Sequence, residues 1–542
     1  MAGRTPKLLF SMETVSIVFV SFILCLEFCV QKLVQCFYHY FPFPRLLDKI
    51  WDNVSFLRSI FSRRLREKDD AVLKMNTTEL IERAGYECED HFAETSDGFF
   101  LVLHRIKGNE GRPPLIFMHG LMMCDEVWVF EKRFSLPIFL HEKGYDVWLC
   151  NNRGNKYSWM HQRLNRAEEK YWDYSIDELA RYDVPTCVDY VINSTQMPQV
   201  GYVGFSNGTA QMFAALSSTH KLNDHISVFI AIAPACKLLT INDKGGGSLL
   251  YPLVTTRRSF FTWIFGKRSM LSTSDVWRRY LNVDMLVQAI DLSLVMLFGW
   301  HTNNCAPDVK PLFYSHLYST VSTKCVYHWF QILNSSRFEF FNSGAGRGSA
   351  GSFYVPPYDL KRIRCPVAVF HGGEDKLTDI PWLLEQLKGA AGLEACCVPH
   401  YEHLDFLCAR DVAEETFDNV FKVLEVTAPI FPDQQRQHRL NTPTPPPPLA
   451  GSALSRYPYS RPPTPHGHGG RRSTTHSQYT DRGGEWHSPE ETIMQEGEEL
   501  VGDAPTEGRV GVGTAAYLSV PSSASPSPPR MRSPGGINGG IQ

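Results

Sequence analysis

The chain has 542 residues, 43% hydrophobic and 12% aromatic, which is enough to bury a large core and too long for one minimal domain. Its 54 basic and 57 acidic residues leave a formal net charge of -3, so no basic excess points to nucleic acid. Fourteen cysteines are scattered without a repeated C-x-x-C frame or histidines at metal-ligand spacing, which reads as small buried hydrophobes and free thiols in a reducing compartment, not a metal site.

Residues 1–74 read as a membrane-anchor segment followed by a basic linker. Arg4 and Lys7 precede an almost wholly apolar run over residues 15–30, with Glu27 near its end. As a straight helix that run spans roughly 24 Å, short of a roughly 30 Å hydrocarbon core. A second apolar-aromatic stretch, residues 33–43, is closed by Pro42 and Pro44. A cleaved signal peptide is one reading, but no small-x-small site follows Leu26. A helix spanning through Phe37 is another. The third is a re-entrant hairpin or interfacial helix anchored by Tyr38 and Tyr40. The expectation is an anchor of the second or third kind. Lys32, Arg45, Lys49, Arg58, Arg63, Arg64, Arg66 and Lys68 outweigh Arg4 and Lys7, which puts the following domain in the cytosol, at the endoplasmic reticulum or a lipid droplet. Glycosylation sequons at Asn53, Asn76, Asn193 and Asn334 argue instead for a secretory or vacuolar location.

Residues 75–428 read as one catalytic domain. Residues 87–95 and 99–106 alternate as strands about the turn Ser96-Asp97-Gly98, a hairpin pattern. Short buried strands follow at residues 114–118, ending at His119-Gly120-Leu121, and at 145–149, ending at Asn151-Asn152-Arg153. Residues 127–143 between them have room for a helix and its connections. Ser175-Ile176-Asp177-Glu178 is a capping-box pattern, and the helix it opens is expected to restart at Pro185.

Residues 199–216 are the centre of the chain: an apolar strand, then Gly204-Phe205-Ser206-Asn207-Gly208, then a run of helix formers. G-x-S-x-G between a strand and a helix is the nucleophile-elbow arrangement. The serine stands in a strained turn, so its neighbours two positions away, Gly204 and Gly208, must lack side chains. The amide of Asn207 then sits at a helix N-terminus, able to bind an oxyanion. A further buried strand covers residues 228–233. Strands alternating with helices predict an α/β fold with a mostly parallel central sheet and helices on both faces.

Residues 234–354 break this rhythm and are aromatic-rich, with a helix over 285–300, so they read as a cap inserted over the site. Within them Gly346-Arg347-Gly348-Ser349-Ala350-Gly351 fits a nucleotide-loop pattern, but no strand leads in and no helix follows, so it reads as a flexible loop. The sheet resumes at residues 365–370 before His371-Gly372-Gly373-Glu374-Asp375, and ends at 395–398 before His400-Tyr401-Glu402-His403. A closing helix is expected over 412–426, and the proline-, serine- and glycine-rich residues 429–542 read as a disordered tail.

A serine hydroxyl needs a histidine to take its proton and a carboxylate to orient that histidine. In this fold class the order is serine, then acid, then histidine, with both partners after late strands. Ser206, Asp375 and His403 fit that order. Asp379 is a rival acid further from its strand end, Asp405 lies too close to His403 in sequence, and His400 is the rival base. His119 and His371 read as structural. The second oxyanion amide is placed at Leu121.

The runs PLIFMHGLMM, GYDVWLCNNRGNKYS, GFSNG, HGGED and HLDF, over residues 85–411, resemble the acid lipase family of α/β-hydrolases, which includes gastric and lysosomal lipases. With YWDYSIDELARYDVP and the hydrophobic N-terminus, the chain looks most like the membrane-anchored steryl ester hydrolases of yeast. The resemblance implies Ser206 as nucleophile, Asp375 as acid, His403 as base and the amides of Leu121 and Asn207 as the oxyanion hole. Phe205 and Asn207 depart from the His and Gln of the secreted lipases, which bears on secretion and an acidic optimum. The implied reaction is acyl transfer to water with no metal or organic cofactor. The implied partners are a long-chain lipid ester and a membrane or lipid-droplet surface, not nucleic acid. Steryl ester is the first substrate and triacylglycerol the second. Transfer of the acyl group to an alcohol is the alternative reaction, and a non-catalytic membrane scaffold the remote one. Oligomeric state is not legible.

Overall fold

β1 (Glu89–Glu94) and β2 (Phe99–Ile106) pair antiparallel about the expected turn, with Glu94 opposite Phe100. The structure, a computed structural model, describes residues 71–109, 112–239, 258–272, 274, 278, 283–342 and 355–427. The expected anchor, the glycine loop at 346–351 and the tail beyond 428 lie outside the described residues. Among the described residues, no helix is long and apolar enough to cross a membrane.

β2 pairs antiparallel with its next neighbour in the sheet as well, and beyond that pair the sheet is parallel. β3 (Leu115–Met118), β4 (Val147–Cys150), β6 (Val200–Phe205), β7 (Ile226–Ile232), β10 (Val367–Gly372) and β11 (Leu393–Val398) follow β1 and β2 in the spatial order β1-β2-β4-β3-β6-β7-β10-β11, with the short β5 (Met160–His161) beside β2. Every pair from β4 to β11 in that order is parallel. All residues of β3, β4, β6 and β7 are buried, as the continuous apolar runs require of strands covered on both faces.

The pleat divides these residues between two cores. Phe117, Leu149, Val203 and Ile230 face one, packed on helices Leu136–Glu142 and Asp418–Thr427. Ile116, Trp148, Tyr202 and Phe229 face the other, packed on helices Val184–Thr195 and Asn207–Ser218. The eleven cysteines among the described residues are all free, and eight of them are buried.

One local expectation is corrected. Ser175 does cap a helix, with Glu178 completing the box. That helix does not restart at Pro185. It runs from Ile176–Glu178 through a π turn, Leu179–Asp183, straight into Val184–Thr195. The wider turn accommodates a residue with no amide hydrogen and aims Asp183 inward.

Between β7 and β10 lie helices Arg258–Phe265, Val283–Phe298, Lys310–Leu317 and Thr323–Ser335, with a small antiparallel pair, β8 (Ser269–Met270) and β9 (Val321–Ser322). Leu286, Ile290 and Leu294 of the second helix join the main core, so the insertion packs onto the sheet domain.

Candidate active site

Parallel strands bring their C-terminal ends to one edge, where α/β folds bind ligands. Ser206 leaves β6 there with φ 51° and ψ -114°, a left-handed conformation that a residue with a Cβ adopts only under constraint. The constraint is visible. A Cβ on Gly208 would lie 2.4 Å from the Met118 carbonyl oxygen, and one on Gly204 would lie 2.9 Å from the Gly208 backbone. Only glycine lets the helix start so close to β3 and β6. The Ser206 amide donates to the Ile232 carbonyl at 3.1 Å, and the Thr209 hydroxyl donates to the Ser206 carbonyl at 2.6 Å.

The loops after β10 and β11 are pressed together in a similar way. Side chains at Gly372 and Gly373 would collide with the carbonyls of Tyr401 and Pro399, at 2.1 and 2.3 Å. Their close approach puts His403 Nδ1 2.7 Å from Asp375 Oδ2, with both side chains buried. Asp375 Oδ1 also accepts from the Leu377 amide at 3.0 Å, which fixes the carboxylate plane. The Phe205 ring, one residue before Ser206, meets the His403 ring at 5.2 Å between centroids.

The rivals are occupied elsewhere. Asp379 caps helix Ile380–Gln386 through the Trp382 amide at 3.0 Å and pairs with Lys237 at 2.8 Å. Asp405 accepts from the Glu402 amide at 2.6 Å and from Asn304 Nδ2 at 2.9 Å, and burial pushes its carboxyl up to about 6. His400 is exposed and bonds Asp411 at 3.0 Å. His119 is buried against the Gly120 carbonyl at 2.8 Å and accepts from the Asn152 amide at 3.2 Å. Burial lowers its pKa to about 4, so the ring is neutral and fastens the loop after β3 to the loop after β4.

Leu121 and Asn207 line one small cavity, together with Asn152, Asn155 and Tyr174. Asn207 is the first helical residue, and its side-chain oxygen accepts from Trp329 Nε1 of the insertion at 2.9 Å. The neighbouring Met122 carbonyl accepts from the Ser319 amide at 2.7 Å, also from the insertion. The insertion thus bonds Asn207 itself and the residue after Leu121, so the two positions assigned to the oxyanion hole lie on or beside its contacts.

Sequence reading missed three buried groups around this edge. Arg153 is 1% exposed at its side chain and binds Asp183 and Asp97, each at 2.6 Å, while lying 4.3 Å over the Phe99 ring. Burial pushes the Asp183 carboxyl up to about 6, against the pull of Arg153. Trp300 stacks on His403. Glu126 is met by Lys156 at 2.6 Å, His316 Nδ1 at 2.7 Å and Tyr157 at 2.5 Å. No local pattern joins residues so far apart in the chain.

Glu126 makes a testable contribution. Burial alone would raise its pKa, but Lys156, His316 and Arg278 overcome burial and hold the carboxyl far below its usual 4.5. A depressed carboxylate stabilises the fold above its unfolded pKa, and that stability is lost as pH falls through the folded value. Glu126→Gln is expected to lose about 3–5 kcal/mol at neutral pH, because it removes the buried carboxylate from its ion pair with Lys156. In denaturant titrations the gap from the parent should narrow once the pH falls below about 4. A constant gap from pH 7 to 3 would contradict this.

A serine on a strained strand-to-helix turn, with a histidine–aspartate pair after the last two strands, defines an α/β-hydrolase. Residues 113–410 match the α/β hydrolase fold family, and residues 77–132 match the partial α/β-hydrolase lipase region. A "Probable lipase" of Schizosaccharomyces pombe is 36% identical over 399 residues, covering 72% of this chain and 84% of the relative. Human gastric triacylglycerol lipase is 30% identical over 375 residues, covering 65% and 91%. Human lysosomal acid lipase/cholesteryl ester hydrolase is 28% identical over 374 residues, covering 66% and 92%. The chain belongs to the acid lipase family of α/β-hydrolases and is a carboxylic ester hydrolase of the lipase type.

Proposed function

We propose that the chain cleaves long-chain steryl esters to sterol and free fatty acid through an acyl-enzyme on Ser206. The observation that carries the mechanism is the 2.7 Å bond between His403 Nδ1 and Asp375, beside the elbow that presents Ser206. Asp375 holds the imidazole with its other nitrogen free to accept. That nitrogen takes the Ser206 proton as Oγ attacks the acyl carbonyl. The amides of Leu121 and Asn207 hold the developing oxyanion. The imidazolium returns its proton to the leaving alcohol, and water then repeats the sequence to release the fatty acid.

The substrate choice rests on likeness to the membrane-anchored yeast enzymes and on the relative whose name includes cholesteryl ester hydrolase. The relative named a triacylglycerol lipase supports the second reading, triacylglycerol. An apolar anchor within residues 15–30 would hold the enzyme at the endoplasmic reticulum or a lipid droplet, with its catalytic domain in the cytosol.

The test is purified full-length protein with cholesteryl oleate and with triolein, each in mixed micelles. Steryl ester hydrolysis is expected to exceed triolein hydrolysis. The reverse order would move the assignment to triacylglycerol, a new ester in the presence of added alcohol would indicate a transferase, and no turnover would leave a scaffold. Protease treatment of intact microsomes and lipid droplets is expected to digest the domain. A protected, N-glycosylated domain would refute the cytosolic placement.

A further inference from the structure

Gly299, at φ 73°, turns the chain off helix Val283–Phe298 and delivers Trp300 to the catalytic edge. There the indole lies on the His403 imidazole, with centroids 4.7 Å apart and planes 5° apart. Phe298 stacks on the far face of the indole at 4.3 Å and 16°. Trp300 is 7% exposed and Phe298 40% exposed, so the outer ring shields the inner one from water.

The chain just after Trp300 is fastened to the chain on either side of His403. The Glu402 carboxylate accepts from the amides of His301 and Thr302, at 2.8 and 2.7 Å. Asn304 Nδ2 donates to the His400 carbonyl at 2.7 Å and to Asp405 Oδ2 at 2.9 Å, and its carbonyl accepts from the Arg410 amide at 3.2 Å. Cys305 forms a bridge with Ala409. These bonds hold the two loops together as one unit, with the stacked rings between them.

We propose that Trp300 is a positioning residue for His403, so that the insertion carries part of the catalytic machinery as well as covering it. The inference rests on the reading of His403 as the base. Asp375 fixes one edge of the imidazole through a single bond, about which the ring could still rock. The flat indole removes that freedom. Its π face also favours a cation over a neutral ring. When the Ser206 proton moves to His403, the imidazolium forms against that face, while the negative charge develops on the acyl oxygen. The stack therefore strengthens in the transition state, and its loss should lower kcat more than it raises KM.

The experiment uses the full-length protein with Trp300→Leu, Trp300→Phe and His403→Ala, assayed on p-nitrophenyl butyrate and p-nitrophenyl palmitate. Trp300→Leu is expected to lower kcat about 10- to 30-fold on both esters, with KM within about twofold. Trp300→Phe, which keeps an aromatic face, is expected to recover most of that loss. It also keeps the test decisive if the leucine variant does not fold. A loss confined to palmitate would make Trp300 a wall of the acyl site and overturn the positioning role. So would a rise in KM at unchanged kcat, or equal losses in the leucine and phenylalanine variants. His403→Ala is expected to be inactive. Parental turnover in that variant would sink the base assignment itself, a failure distinct from any Trp300 result obtained while it is inactive.

Discussion

Ser206→Ala is expected to lower turnover of a lipid ester by roughly four to six orders of magnitude, and His403→Ala by a similar factor. The double variant should lose little more than either alone. The reason is the division of one event between two atoms: the hydroxyl is a weak nucleophile until the imidazole takes its proton, so removing either partner removes the same step. Residual catalysis would come from substrate binding and from the amides of Leu121 and Asn207, which no side-chain substitution deletes. Steady-state rates with cholesteryl oleate and p-nitrophenyl butyrate measure this. Additive losses, or a Ser206→Ala variant near the parent, would mean that the elbow serine is not the nucleophile.

Asp375→Asn is expected to lower kcat by roughly 10⁴-fold with little change in stability. An asparagine fills the same space and keeps an oxygen toward the Leu377 amide, which now donates to Asp375 Oδ1 at 3.0 Å. Its NH₂ group then faces His403 Nδ1 where a carboxylate stood at 2.7 Å. The imidazole must turn its proton to the other nitrogen, which can no longer accept from Ser206. Asp379→Asn is the control. Asparagine caps a helix about as well as aspartate, so the change removes only the half-exposed pair with Lys237, worth less than about 1 kcal/mol. Its kcat should stay within about twofold of the parent. The reverse ranking of the two variants would move the acid to Asp379.

The parallel sheet could be read from the chain because each central strand is a short, mostly apolar run between turn residues. That pattern is local, and the structure puts every such run within a residue or two of its expected place. The elbow was legible for a related reason. Gly204 and Gly208 are needed because the helix passes within van der Waals reach of β3, and that need leaves a mark two residues on each side of Ser206. Asp375 and His403 were legible only through their order after late strands. The bond between them exists because Gly372 and Gly373 let two loops touch, which no local pattern records.

What could not be read is non-local. The helix through Pro185 looked broken, because a π turn has no sequence mark of its own; here it accommodates the proline and aims Asp183 at the buried Arg153. Trp300, Trp329 and Glu126 lie in stretches where aromatic and acidic residues are common. Their roles depend on the insertion folding back across the sheet edge, over separations of more than a hundred residues. Trp329 meeting Asn207 is of that kind.

The central claim is that an acyl group passes through Ser206. The direct measurement is acid quench of the full-length protein during turnover of p-nitrophenyl palmitate, followed by digestion and mass spectrometry. A palmitoyl adduct on the peptide that carries Ser206, absent from Ser206→Ala and lost on longer incubation before the quench, is the predicted result. A covalent adduct on a different residue, or steady turnover in Ser206→Ala with no adduct at all, would contradict the account.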